Sequence, residues 1–137
     1  MTFIFPNIIL PSLNEIIKLS KFQKRGYSPY AAHKRDIEIV LVARIHETLS
    51  EWHCPDWLVE PGSNFDFVWT ATDRRTDPDN RAAGQKFVFD AFVSSGVLPN
   101  DNAKYVNAIS HRFRYADEPS LAVAITGQSN PAYPPLR

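Results

Sequence analysis

The strongest constraint on the fold is a strand pattern that runs directly into a helix pattern within residues 65–94. From residue 65 to 72, large apolar side chains alternate with polar or smaller ones, as in a strand with one buried face. From residue 82 to 94, apolar side chains surround the predicted helix, which is typical of a buried helix. With 137 residues, of which 44% are hydrophobic, the chain is long enough for one such domain and too short for two.

Local patterns also predict the other strands. They lie at residues 2–10, 106–115 and 120–126, and the last two are expected to pair as a hairpin around residues 117–119.

Two helices are predicted before this region. Ser12 and Glu15 form a capping box that starts a short helix, and Ser28 begins a long amphipathic helix that ends near Trp52. The expected fold is therefore α+β, a single domain over residues 1–126 with a mixed β-sheet and helices packed on it. A proline-rich tail at residues 127–137 follows.

Two aspartates, Asp77 and Asp79, stand between the strand pattern and the helix pattern. Pro78 biases Asp77 away from the helical region, so both carboxylates can project from the same side of an extended strand end. Because carboxylates are ligands of hard divalent cations, the pair predicts a shared metal site.

A purely structural alternative exists for the same segment. Asp79 or Asn80 would cap the helix, and Lys86 would form an ordinary ion pair with Asp90 one turn later. Charges on a buried helix, however, need partners or a ligand. We therefore expect a metal-binding acidic site here.

Three motifs occur in order: D-P-D-N at residues 77–80, K-F-V-F-D-A-F at residues 86–92 and G-V-L-P-N-D at residues 96–101. Together with L-P-S-L-N-E at residues 10–15, this order resembles the RusA-type Holliday junction endonucleases of phages and prophages. The resemblance extends from about residue 10 to residue 125. It implies a RusA-like fold and a small homodimeric enzyme that cuts four-way DNA junctions with Mg²⁺, or with Mn²⁺ in its place. The family's metal-site aspartates fall on Asp77, Asp79 and Asp101, and its active-site lysine falls on Lys86.

The position of Lys86 departs from the family pattern. In the best-known member the lysine follows the Asp-Asn pair after two residues, whereas here residues 81–85 intervene. Lys86 still shares a helix face with Asp79, but its ammonium starts roughly 4.5 Å further along the axis. Arg81 or Arg75 is therefore the alternative catalytic cation.

The distance between Asp79 and Asp101 is a second difficulty. A helix over residues 82–94 carries the chain roughly 20 Å away, and the seven residues that follow span at most about 23 Å. Either the loop doubles back along the helix, or the helix begins late or is bent, or Asp101 completes a site in the partner subunit. We favour a site within one chain.

The net charge is zero, yet residues 16–35 contain no acid and several cations. Such a basic face suits a phosphate backbone, although a solvated helix would carry the same charges. The cations predicted to contact DNA are Lys18, Lys21, Lys24, Arg25, Lys34, Arg35, Arg74, Arg75 and Arg81.

Targeting and metal-binding patterns are otherwise absent from the sequence. The first apolar run is short and broken by Pro6, so we expect a cytoplasmic protein with no membrane partner. Cys54 is the single cysteine and excludes an internal disulfide. His33, His46 and His111 lack metal-ligand spacing and receive no role.

The predicted function is Mg²⁺-dependent resolution of four-way junctions by paired symmetric nicks, in DNA recombination and repair. Two alternatives stay open. One is a DNA-binding module whose acidic segment is only structural. The other is a different metal-dependent phosphodiesterase or nucleotide enzyme, although no phosphate-binding loop of the G-x-x-x-x-G-K-[ST] kind is present.

Overall fold

The structure, a computed structural model, describes residues 1–21, 26 and 28–127. Within these residues the chain is α+β, as predicted. The strands are β1 (Thr2–Pro6), β2 (Ser63–Ala71), β3 (Val106–Tyr115) and β4 (Ser120–Thr126), and the helices are α1 (Leu13–Ser20), α2 (Pro29–Glu51), α3 (Pro78–Ala82) and α4 (Gln85–Ser94). The predictions for Lys24, Arg25 and the tail beyond residue 127 lie outside the described residues.

The described strands form one mixed sheet in the order β1-β4-β2-β3. β4 runs antiparallel to both neighbours, so that Val123 lies between Phe3 and Phe67, whereas β2 and β3 are parallel. The predicted bounds of β3 and β4 are correct, but the predicted hairpin is wrong because β2 lies between them. The chain crosses the end of β2 on its way to β4, and there the Ala116 N–H donates to the carbonyl of Ala71 at 2.9 Å.

Both predicted helix starts are confirmed by hydrogen bonds. The Ser12 hydroxyl accepts from the N–H of Glu15 at 3.3 Å, and the Ser28 hydroxyl accepts from the N–H of Ala31 at 3.3 Å. β1 ends earlier than predicted, because Asn7 takes a positive φ of 54° and leaves the extended conformation. No helix among the described residues combines the length and the apolar character needed to cross a bilayer.

The hydrophobic core lies on the face of the sheet that α2 and α4 cover. Phe65 of β2 packs on Phe89 of α4 with ring centroids 5.0 Å apart, and Phe3 of β1 packs on Phe92 at the same distance. Leu41 of α2 joins this cluster. Burial of each large apolar side chain contributes about 1.5–3 kcal/mol, so these contacts hold α4 firmly on the sheet.

The single helix predicted over residues 82–94 is interrupted. Gly84 separates α3 from α4, and a Cβ atom at this position would lie 3.1 Å from both Leu10 Cβ and the Trp69 ring. Glycine permits this close approach because it has no side chain. Because α4 begins only at Gln85, the alternative of a helix that begins late is confirmed. The interruption also places the acid pair and Lys86 on two different helices.

Candidate active site

The acid pair lies where the chain leaves β2 and enters α3. Asp77 has φ −65° and ψ 150°, the extended conformation expected before Pro78. It is the N-cap residue of α3, but its side chain makes no capping hydrogen bond, and Asp79 lies in the first turn. Both aspartates are exposed. The structural alternative placed the N-cap at Asp79 or Asn80, which is wrong because the N-cap residue is Asp77. Capping uses neither carboxylate of the pair.

Asp90 of α4 contacts two lysines. Lys34 Nζ lies 2.8 Å from Asp90 Oδ2, and Lys86 Nζ lies 3.7 Å from Asp90 Oδ1. The hydrogen bond to Asp90 raises the pKa of Lys34 above its ordinary value, against the opposing effect of burial. Lys86 keeps 65% of its side chain exposed. The predicted ion pair one turn apart is therefore present, and it leaves the Lys86 ammonium open to solvent.

An open groove of about 360 Å³ brings Lys86, Asp90 and Asp101 together. The loop after α4 forms part of its wall, and the Leu98 N–H donates to the carbonyl of Phe92 at 3.1 Å as this loop turns back. Among the routes left open for Asp101, the structure therefore shows a loop that doubles back along the helix. This return adds to the late start of α4.

The structure does not gather the three predicted metal-site aspartates. Asp77 and Asp79 do not line the groove that contains Asp101, because they belong to α3 whereas the returning loop follows α4. The part of the chain that the structure describes includes all three, and it holds no group of three or more His, Cys, Asp or Glu side chains able to bind a metal. The donor chemistry itself fits, because carboxylate oxygens are preferred ligands of Mg²⁺ and Mn²⁺. The metal site stays a prediction.

Two of the three arginines beside the acid pair, Arg74 and Arg75, have other contacts. The Arg74 guanidinium lies 3.9 Å from the centre of the Tyr115 ring. The backbone N–H of Arg75 donates to Asp73 Oδ1 at 2.9 Å, and its guanidinium is 3.9 Å from Asp73 Oδ2. Arg81 lies at the end of α3. None of these arginines lines the groove of Lys86, so the lysine is the better placed cation with respect to Asp101.

The predicted basic face is only partly available for DNA. Lys18, Lys21 and Arg35 are exposed, whereas Lys34 is engaged with Asp90. Three further exposed cations, which were not predicted, lie near or on β3: Lys104, Arg112 and Arg114. The alternation of charged and less polar residues in this strand was the signal, since charged side chains are typical of an edge strand.

A hydrogen-bonded chain that was not predicted from the sequence joins the sheet to α4. Trp69 Nε1 lies 2.9 Å from His111 Nδ1, and His111 Nε2 lies 2.9 Å from Gln85 Oε1. Because an indole N–H can only donate, Nδ1 accepts and Nε2 carries the proton. Burial lowers the pKa of His111, which favours this neutral form. A buried tryptophan needs an acceptor, so the sequence signalled that Trp69 has a partner but did not identify His111.

Comparison with protein-family models gives no match, and comparison with curated proteins gives no significant relative. The resemblance to RusA-type endonucleases therefore rests on the order of residues in this chain alone.

Proposed function

We propose that the chain is a Mg²⁺-dependent endonuclease that resolves four-way DNA junctions by paired symmetric nicks. The observation that carries this proposal is the groove shared by Lys86 and Asp101, which are distant in sequence. These positions match the lysine and the third aspartate of the resembling family. The loop that doubles back places Asp101 beside the α4 residues of this groove, although not beside Asp77 and Asp79.

The proposed roles follow from charge and exposure. The proposed ligands of Mg²⁺, or Mn²⁺, are Asp77 and Asp79 on α3 and Asp101, which lies apart from them at the groove of Lys86. When bound, the ion supplies an activated water and neutralises charge on the scissile phosphate. Lys86 would stabilise the negative charge that develops on the phosphate, because its exposed ammonium is directed to the groove by Asp90. Exposed carboxylates also retain the rotamer freedom needed to adjust around an ion.

Two nicks on opposing strands require two sites, and a twofold dimer supplies them in the right symmetry. An exposed apolar surface beside β1 supports this part of the proposal. Ile39 and Val40 are 69% and 59% exposed, and they line one groove with Ile8. Contiguous apolar surface of this kind is typical of protein–protein contacts.

Val40→Glu tests the dimer surface. We expect light scattering to show a dimer for the wild type and a monomer for the variant, because a charge would be buried in the contact. Ile17→Glu places the same charge on a 44% exposed isoleucine of α1 and is the matched control. A Val40→Glu protein that stays dimeric would remove this surface from the proposal.

The activity is tested with a labelled four-way junction, a linear duplex of the same sequence, and Mg²⁺. We expect symmetric nicking of the junction alone, and we expect Asp79→Asn to abolish nicking while junction binding persists. Asp73→Asn alters a nearby exposed acid outside the predicted ligand set and should remain active. Binding without nicking in the wild type would favour a non-catalytic DNA-binding module. Nicking of both substrates would favour another phosphodiesterase.

A further inference from the structure

The chain of hydrogen bonds from Trp69 through His111 to Gln85 ends at the first residue of α4. Trp69 also lies against Gly84, the residue that separates α3 from α4. Two contacts from the sheet thus meet the junction between the helix that carries the acid pair and the helix that carries Lys86. The junction is held from β2 directly and from β3 through the imidazole.

The imidazole of His111 is held on its faces as well as on its nitrogens. Its ring centroid lies 5.1 Å from Phe67, 6.1 Å from Trp69 and 6.4 Å from Phe113, with the ring planes inclined by 29°, 24° and 24°. None of these contacting residues titrates, and neither does Gln85. A neutral ring with one fixed tautomer is therefore the only form that satisfies both hydrogen bonds.

Charged residues on the adjoining elements are engaged elsewhere or point away. On α4, Lys86 and Asp90 contact each other at the groove. On β3, Arg112 follows His111 directly, so its side chain projects from the opposite face of the strand. A protonated His111 would consequently find no carboxylate partner among these described contacts. Its new Nδ1–H would also point at the N–H of Trp69, so the hydrogen bond between them would be lost.

We propose that neutral His111, acting through Gln85, is a positioning residue that sets Lys86 relative to the acid pair for phosphodiester cleavage. This inference rests on the proposed function. The imidazole does not touch the groove, and its effect passes through the hydrogen bond that ties the start of α4 to β3. When that bond is lost, α4 remains packed through Phe89 and Phe92, but its first turn is no longer held at Gln85.

Two substitutions of Gln85 separate positioning from folding. Gln85→Met keeps the length of the side chain but removes the acceptor, and we expect kcat for junction nicking to fall by about five- to tenfold, as for one lost buried hydrogen bond. KM and junction affinity should stay within about twofold, because the groove and the exposed cations are unchanged. Gln85→Glu restores an acceptor and should recover most of kcat near neutral pH.

The dependence of kcat on pH gives a second test, because it should not change if His111 had only a structural role. The carboxylate of Gln85→Glu stabilises imidazolium, so the loss of kcat on acidification should begin at higher pH than in the wild type. Unchanged kcat in Gln85→Met overturns the proposal. A proportional loss of kcat, junction affinity and thermal stability in Gln85→Met also overturns it. The same holds if the wild type and Gln85→Glu show the same dependence of kcat on pH.

A measurement without DNA or metal distinguishes failure of this inference from failure of the proposed function. Imidazole ¹⁵N spectra of the wild type should show the Nε2–H tautomer. The backbone amide of Lys86 should follow the His111 titration, and this coupling should vanish in Gln85→Met. If the coupling is present but the wild type does not nick junctions, only the proposed function fails. If the coupling is absent, the positioning inference is overturned regardless of activity.

Discussion

The ammonium of Lys34 lies 2.8 Å from Oδ2 of Asp90, and this ion pair joins α2 to α4 beside the candidate active site. Asp90 Oδ2 is buried. Lys34→Met should lower the free energy of unfolding by about 1–3 kcal/mol, because it leaves a buried carboxylate oxygen without its nearest cation. Urea unfolding followed by circular dichroism measures this difference.

Lys86→Met is the matched control for that prediction. It removes the second lysine from the same carboxylate, but Lys86 is 3.7 Å away and 65% exposed. The expected cost is below about 0.5 kcal/mol, as for other exposed i,i+4 pairs. Equal costs for the two substitutions would show that the closer pair does not hold the helices together.

Phe92 and Val93 are neighbours on α4 with opposite environments. Phe92 is fully buried against Phe3 and Phe65, whereas Val93 is 39% exposed. Phe92→Ala should lower the free energy of unfolding by about 3–5 kcal/mol through the cavity it creates. Val93→Ala should cost less than about 1 kcal/mol. Thermal and urea unfolding of both variants measure these losses. A larger loss for Val93→Ala than for Phe92→Ala would contradict the assigned orientation of α4.

The bounds of β3 and β4 were predictable from side-chain alternation, but their pairing was not. Alternation specifies which residues face the core and says nothing about which strand lies alongside. The short connection between the two strands favoured a hairpin, yet β4 is inserted between β1 and β2. Composition was the better indicator of strand order. Arg112 and Arg114 are typical of an edge strand, whereas the buried side chains of Leu121, Val123 and Ile125 are typical of a central strand such as β4.

The candidate site shows the same division between local and distant information. The extended conformation of Asp77 follows from the proline beside it, so it was predictable. The helix break at Gly84 depends on Leu10 and Trp69, which approach from distant parts of the chain. Likewise, His111 accepts the hydrogen bond of Trp69 because the parallel register of β2 and β3 places the two side chains together. No local sequence pattern encodes this register.

The lowered pKa of His111 predicts a pH-dependent stability. Its ordinary value is 6.5, and burial lowers it in the folded protein, so below about pH 6.5 the unfolded chain binds the proton more readily. The contribution is complete above that pH and is lost progressively as pH falls. The difference in unfolding free energy between the wild type and His111→Gln should therefore shrink on acidification. A difference independent of pH would contradict the assigned neutral state.

The exposed cations should control the salt dependence of DNA binding. Lys21→Ala should flatten the slope of log affinity against log salt by about one unit, as expected for one lost phosphate contact. Lys34→Ala should leave the slope nearly unchanged, because that ammonium is already paired with Asp90. Fluorescence anisotropy of a labelled junction over a series of salt concentrations measures both slopes. If Lys34→Ala gave the larger change, the DNA path would run over α2 instead.

Binding of Mg²⁺ should stabilise the folded protein even without DNA. At a metal concentration one hundred times the dissociation constant, the gain is about 2.7 kcal/mol and appears as a rise in Tm. We expect the rise to be lost in Asp77→Asn, Asp79→Asn and Asp101→Asn, because each removes a charged oxygen ligand. Asp73→Asn should retain it, since the Asp73 side chain accepts the Arg75 N–H instead. A rise that survives in Asp101→Asn but not in Asp79→Asn would place the ion on α3 alone, away from the groove of Lys86.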